Sequence, residues 1–348
     1  MKLNVLVGVV IAIVVATGVG GVLLLKLGAG PTTSPNNQQP PSGDNHLGGG
    51  QGENQENQLH EEQLTSDFTP PQGKATHAGE GPWSYRLLSA TSDGLTFTRT
   101  DNIITDQGDV PDLVQDNNGW IYLYYVGWTV GDENNKTVVA ISQDGGSTWV
   151  YKKLHLTGFD GMTEPCDPDV QILPNGTFRL YLTSAQSSGS KTSIYYAEGT
   201  DGINFTKMGV AFSRPGKSLI DPTTILIGST WHIFTRGDVD TPNANAHGTS
   251  SDGTNFTFDE EKVFPIDGVE RTMGNGIAVP GGYRFYAHGG SPAITSFFTT
   301  DGVTWTADPG ARLTLDNTTG KEANIIKEPA VVRLSNGSYF MVYAVGIP

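Results

Sequence analysis

Past about residue 80, apolar and polar residues alternate in short runs broken by Gly, Asn, Asp and Pro, the two-residue period of strands rather than the longer period of helices. Five of these runs share one plan: an apolar segment, a turn, then a second apolar segment with a polar end. They read PDLVQDNNGWIYLYYVG, DPDVQILPNGTFRLYLTS, DPTTILIGSTWHIFTRG, GNGIAVPGGYRFYAHGG and KEPAVVRLSNGSYFMVYA. Each predicts a β-hairpin, strands A and B of a four-stranded unit. A shorter phrase interleaves with them: TSDGLTF, SQDGGSTW, GTDGINF, SSDGTNF and TTDGVTW, with aspartates Asp93, Asp144, Asp201, Asp252 and Asp301. It predicts the turn between outer strands C and D. Asp accepts backbone N–H groups a few residues on, Gly takes a positive φ, and the aromatic packs inward.

Successive aspartates stand 51, 57, 51 and 49 residues apart. A period of about 50 residues built from short strands predicts a β-propeller with one blade per repeat. Residues 82–348 begin with an unpartnered C–D pair, YRLLSATSDGLTFTRTD, and end with an unpartnered A–B pair. Together these complete a fifth blade. The expectation is an all-β, five-bladed propeller closed by pairing its N- and C-terminal strands, which leaves no open sheet edge.

The first 81 residues break the pattern. Leu3 to Leu25 is uncharged and apolar, bounded by Lys2 and Lys26. As a helix it would run about 34 Å, enough to cross a bilayer. Residues 1–26 are therefore expected to be a transmembrane anchor or signal segment, with the propeller on the extracellular face, or secreted if the segment is cleaved. Residues 27–81, rich in Pro, Gly, Asn and Gln, are expected to be a disordered linker. Six Asn-x-Ser/Thr sequons, starting at Asn135, Asn175, Asn204, Asn255, Asn317 and Asn336, suit an exported glycoprotein.

A formal charge of −15 without a basic run argues against nucleic acid as a partner. The single cysteine, Cys166, allows neither an internal disulfide nor a Cys-based zinc cage, and it reads as an inert thiol.

The short phrase resembles the Asp-box of sialidases and related propellers, and residues 142–149 match it nearly in full. In those proteins the box lies at the face opposite the ligand site. That resemblance directs attention to the other face, where the strands A begin and converge on the axis. Three hairpins begin there with an acid and a proline: Asp167-Pro168, Asp221-Pro222 and Glu328-Pro329. The first blade has Val110-Pro111 flanked by Asp109 and Asp112, Asp169 takes the place of Asp112 in the second, and the fourth has Met273-Gly274-Asn275. One acid–proline pair alone is an ordinary way to start a strand. Three around an axis repel one another and raise at least one pKa. A raised acid beside an ionised carboxylate is the pair that glycoside hydrolysis uses.

These motifs resemble the five-bladed glycoside hydrolases of families 43 and 32. The resemblance implies Asp167 as base or nucleophile, Asp221 as pKa modulator and Glu328 as general acid. The acids of those families come from consecutive blades, whereas here they come from the second, third and fifth, so Asp109 and Asp112 stay open for a role. The ends of strands B and the adjoining loops add a substrate-binding rim. With Asp109, Asp112 and Asp169 it comprises Trp128, Arg236, Asp238, Arg271, Asn275 and His288. His288 and His247 lack metal-ligand spacing and read as hydrogen-bonded histidines. No cofactor is required; an oxygen-rich acidic axis suits a Ca²⁺ ion. The function expected is a glycan-acting glycoside hydrolase. The alternatives are a non-catalytic carbohydrate- or protein-binding propeller and a sialidase-like exoglycosidase. The last needs three arginines for a sugar carboxylate, with Arg236 and Arg271 available and Arg179 and Arg333 placed within strands.

Overall fold

A computed structural model describes residues 65–75, 81–127, 136–264, 272–289 and 292–348. The apolar segment Leu3–Leu25 and the sequon at Asn135 lie outside them. Among the described residues no helix is long and apolar enough to cross a membrane.

The strands form five antiparallel sheets, the blades of a propeller. Blade I comprises Gly108–Gln115, Ile121–Gly127, Lys136–Ser142 and Val150–Lys153 as strands A to D. Blade II comprises Cys166–Ile172, Phe178–Ser184, Ser193–Gly199 and Asn204–Phe212, with His155–Thr157 added in parallel at its outer edge. Blade III comprises Leu219–Ile227, Thr230–Gly237, Asn245–Ser250 and Thr257–Lys262. Blade IV comprises Thr272–Val279, Gly282–His288 and Ala293–Thr299, edged by Thr306–Ala307 and Leu313–Thr314. Blade V is composite: Ala323–Arg333 and Tyr339–Gly346 supply A and B, Tyr85–Ser92 and Thr98–Asp106 supply C and D. Its two halves zip in register from Tyr85 opposite Gly346 to Ser92 opposite Tyr339.

Local chemistry sets the turns. All five A–B hairpins carry a glycine of positive φ, Gly119 at 85°, Gly176 at 84°, Gly228 at 62°, Gly281 at 85° and Gly337 at 87°. Gly176 donates its amide to the Leu173 carbonyl and Gly337 to that of Leu334, both at 2.8 Å. A type I turn followed by a left-handed residue needs this conformation, and glycine adopts it without strain. The C–D turns use the aspartate. Asp144 accepts the amides of Ser147 and Thr148 and the Thr148 hydroxyl; Asp201 accepts those of Ile203 and Asn204, and Asp301 those of Val303 and Thr304. Neighbouring blades grip the turns: the Tyr124 hydroxyl donates to the Gly202 carbonyl at 2.8 Å and Tyr181 to Gly253 at 2.6 Å.

The core is a ring of five apolar clusters, each between two blades. Tyr124 and Leu180 join I to II, Tyr181 and Ile233 join II to III, and Phe234 and Phe285 join III to IV. Tyr286 and Met341 join IV to V, and Phe340 and Leu123 join V to I. Burying each such side chain contributes about 1.5–3 kcal/mol, so the ring is held mainly by contacts between blades.

Residues 65–75, which composition assigned to the linker, belong to the compact unit Glu62–Pro348. Phe68 packs on Tyr151 with ring centroids 5.9 Å apart, Asp67 donates its amide to the Tyr151 carbonyl, and Lys152 Nζ meets Asp67 Oδ1 at 2.6 Å. One aromatic and one acid are enough to cover the open edge of Val150–Lys153, a site that composition averaged over 55 residues conceals.

Candidate active site

Every inner strand begins with the same irregularity. The A–B ladder skips between Asp109 and Asp112, Cys166 and Asp169, Ile220 and Thr223, Met273 and Asn275, and Lys327 and Ala330. Proline explains four of the five. It has no N–H to give the ladder, so Pro111, Pro168, Pro222 and Pro329 fit only where pairing is interrupted. The residue before each is left-handed: Val110 at φ 49°, Asp167 at 52°, Asp221 at 51° and Glu328 at 49°. Such backbone costs about 1–3 kcal/mol in a non-glycine residue and is rarest in a β-branched one. Blade IV has Gly274 here. A Cβ on it would stand 2.5 Å from the Pro329 carbonyl oxygen, so no acid fits in that blade.

The strained residues converge on an axial pit lined by Val110, Pro111, Asp221, Pro222, Gly274 and Glu328. Its volume is about 20 Å³, room for about one water at the floor. Asp167 stands beside it. Both Asp167 and Asp221 are raised by burial and by the Glu328 charge, Asp221 well above the ordinary range. Arg236, whose Nη1 donates to the Thr272 hydroxyl, partly offsets this at Asp221.

Glu328 behaves oppositely. Burial alone would raise its pKa, but Lys327, a hydrogen bond from Asp109 and His288 together hold it at about 2. Lys327 Nζ lies 3.1 Å from Glu328 Oε1 and 2.8 Å from Asp109 Oδ2, and 3.9 Å from the centre of the Tyr85 ring. The Val110 amide donates to Glu328 Oε2 at 3.0 Å, a direction that its left-handed backbone provides. Asp109 is pushed well up by burial and by Glu328. Its buried Oδ1 has no hydrogen-bond partner among the described residues, and a proton on Asp109 shared with Glu328 satisfies it. The Glu328 amide donates to His288 Nδ1 at 3.0 Å, and burial lowers His288 to about 4. His288 is thus neutral with its proton on Nε2.

One residue past each proline lies a second, buried layer. Asp112 accepts the Val170 amide at 2.7 Å and the Asn275 side-chain nitrogen at 2.8 Å. Asp169 accepts the Thr224 amide at 3.0 Å and the Thr224 hydroxyl. Asn275 accepts the Val331 amide at 3.0 Å. Each reaches from one blade to another, and all three are at most 4 % exposed. Asp112, Asp169 and Asn275, assigned to the substrate rim from sequence, therefore tie blades together below the pit. Burial raises Asp112 to about 7, and burial with the Asp112 charge raises Asp169 well above the carboxylate range. This layer does not fit an axial Ca²⁺. All four carboxylate oxygens already accept hydrogen bonds, and Asn275 turns its nitrogen, not its oxygen, to Asp112.

Asp238 is also drawn off, paired with Lys191 at 2.7 Å and with the Ser218 amide at 2.9 Å. Arg179 is bound to Glu198 and to the Asp252 carbonyl at the box end of blade II, and Arg333 is exposed near an A–B turn. Trp128 and Arg271 lie outside the described residues. Arg236 is thus the one arginine of those four that the described residues bring to the pit, and they assemble no carboxylate clamp. Burial raises the pKa of Cys166, which stays a thiol. Sequence reasoning missed Lys327, although the letters KEP were already in the motif.

No family model and no curated protein matches the chain. Solved structures do. A thermostable family-43 glycoside hydrolase superposes with a TM-score of 0.53 at 18% identity, over 68% of this chain and 83% of that one. A putative glycoside hydrolase from Parabacteroides distasonis gives 0.54 at 12% identity, over 82% and 98%. One from Bacteroides ovatus gives 0.50 at 15% identity, over 68% and 86%. At these identities the likeness is one of fold: this chain is a five-bladed propeller whose structural neighbours include a family-43 glycoside hydrolase.

Proposed function

We propose that the protein is a glycoside hydrolase that works at the axial pit. The observation that carries this reading is the pair of opposed shifts on converging, strained residues. Glu328 is held ionised, while burial and the charges of Asp167 and Glu328 push Asp221, on the same pit, toward its protonated form. A carboxylic acid that can give a proton to a leaving oxygen then faces a carboxylate that can attack or activate water. In this reading Asp221 is the general acid, Glu328 the base or nucleophile, and Asp167 modulates both. All three roles differ from those the family resemblance implied, Asp167 as base or nucleophile, Asp221 as pKa modulator and Glu328 as general acid, and the change starts from Lys327. Lys327 Nζ, 3.1 Å away, acts with a hydrogen bond from Asp109 to favour the ionised form of Glu328. The leading apolar segment supports an exported, membrane-tethered or secreted protein acting on external glycans.

A second reading is a non-catalytic glycan-binding propeller. It is favoured by the cations beside the acids, Lys327 at Glu328 and Arg236 at Asp221. Assaying the protein against a glycan panel, alongside Asp221→Asn and Glu328→Gln, separates the two. Hydrolysis lost in both variants, by about 10²–10⁴-fold, supports the first reading. Glycan binding without turnover supports the second, and turnover unchanged in both variants removes the proposed site.

A further inference from the structure

Away from the axis, one group of side chains has the make-up of a metal site. It lies on the outer part of blade III, between strand C, Asn245–Ser250, and strand D, Thr257–Lys262. The ladder slips there: His247 pairs with Glu260 and Gly248 with Phe258, which leaves Asp259 in a bulge. In a regular strand Asp259 and Glu260 would point to opposite faces; a bulge re-aims one of them. Both reach His247, and one ligand atom from each of the three lies within 4.8 Å of the others.

The second observation is His247 itself. The residue is 3% exposed, yet its Nδ1 has no hydrogen-bond partner among the described residues. A buried polar atom left so costs about 1–3 kcal/mol. Its other nitrogen, Nε2, meets His232 Nδ1 at 3.0 Å, and Phe234 stacks on the ring at 4.7 Å. The ring is fixed from behind, with Nδ1 turned to the two carboxylates. Nδ1 faces Asp259 Oδ2 at 3.2 Å. A cation bonded to both at about 2.0–2.2 Å would hold them about that far apart, as edges of a tetrahedron are. A ligating histidine also characteristically has its far nitrogen hydrogen-bonded, as His247 has through His232.

We propose that His247, Asp259 and Glu260 bind a divalent transition ion of the Zn²⁺ class, with water in the remaining position. One imidazole and two carboxylates suit such an ion, whereas Ca²⁺ takes oxygen ligands alone. Lys262, 2.8 Å from Glu260 Oε1, holds that carboxylate in the ion-free chain and yields it on binding. The ion pins strand D of blade III to strand C.

The test is calorimetric titration of the chelator-stripped full chain with ZnCl₂, with thermal unfolding followed in parallel. The Asp259→Asn/Glu260→Gln variant changes two exposed side chains and should fold normally. One saturable site that raises the melting temperature, weakened about tenfold or more in the variant and not reproduced by CaCl₂, supports the proposal. No binding at about a 100-fold excess of zinc, equal binding by the variant, or an equal response to calcium overturns it.

Discussion

Two rings of polar residues, only two positions apart in each strand, do opposite work in this propeller. Asp167, Asp221 and Glu328 precede the prolines, sit on strained backbone and remain partly exposed at the pit. Asp112, Asp169 and Asn275 follow the proline or its glycine counterpart, are buried, and bind backbone amides of other blades. Both rings hold carboxylates of raised pKa. The difference lies in exposure: Glu328 accepts the Val110 amide and Asp167 that of Asp221, yet both stay open to the pit, whereas every carboxylate oxygen of Asp112 and Asp169 is taken up in the interior. A shifted pKa therefore marks a functional residue only after its partners have been counted.

Substitution in the two rings should give opposite results. Asp112→Ala strands the Val170 amide and the Asn275 side chain in the interior. We expect a loss of about 3 kcal/mol, read by denaturant unfolding, whereas Asp112→Asn should cost much less. Asp221→Asn in the upper ring should leave stability unchanged or raised, because it removes a carboxylate that burial and Asp167 both disfavour. Equal destabilisation by both substitutions would erase the distinction.

The lower ring should also show itself through pH. Asp112 is at about 7 in the folded protein against an ordinary value of 3.8, so folding favours its protonated form. That contribution is present at low pH, declines as pH rises from about 4 to about 7, and is gone above. The stability difference between wild type and Asp112→Asn should follow that course. A difference independent of pH would contradict it.

In the upper ring the sensitive point is Lys327. Lys327→Met removes the ammonium that keeps Glu328 ionised, and the acid limb of the pH–rate profile should move up by about 1–3 units. The smallest effect belongs at the opposite face. Asp144→Ala loses the side-chain hydrogen bonds that close one C–D turn and should cost about 1 kcal/mol, with hydrolysis unchanged.

Much of this was legible in the sequence because it depends on neighbours along the chain. An Asn-Gly turn, an Asp-Gly turn and an acid before a proline carry their geometry with them, and repetition counted the blades. What stayed hidden depends on partners far away in the chain. Asp112 and Asp169 look like rim carboxylates until the amides of Val170 and Thr224, more than 50 residues away, are found to take them up. Lys327 stands next to Glu328, but its pull becomes visible only with Asp109, 218 residues distant, on its other side. His247 lacks metal-ligand spacing because its carboxylates come from the adjacent strand through a bulge, which no spacing rule records.

The central claim, Asp221 as proton donor and Glu328 as ionised carboxylate, is tested most directly by varying the leaving group. On any glycoside the protein turns over, Asp221→Asn should be severely slowed, and an aryl analogue whose leaving group needs no proton should restore most of its rate. Glu328→Gln should stay slow on both substrates. Rescue of Glu328→Gln in place of Asp221→Asn would contradict the assignment.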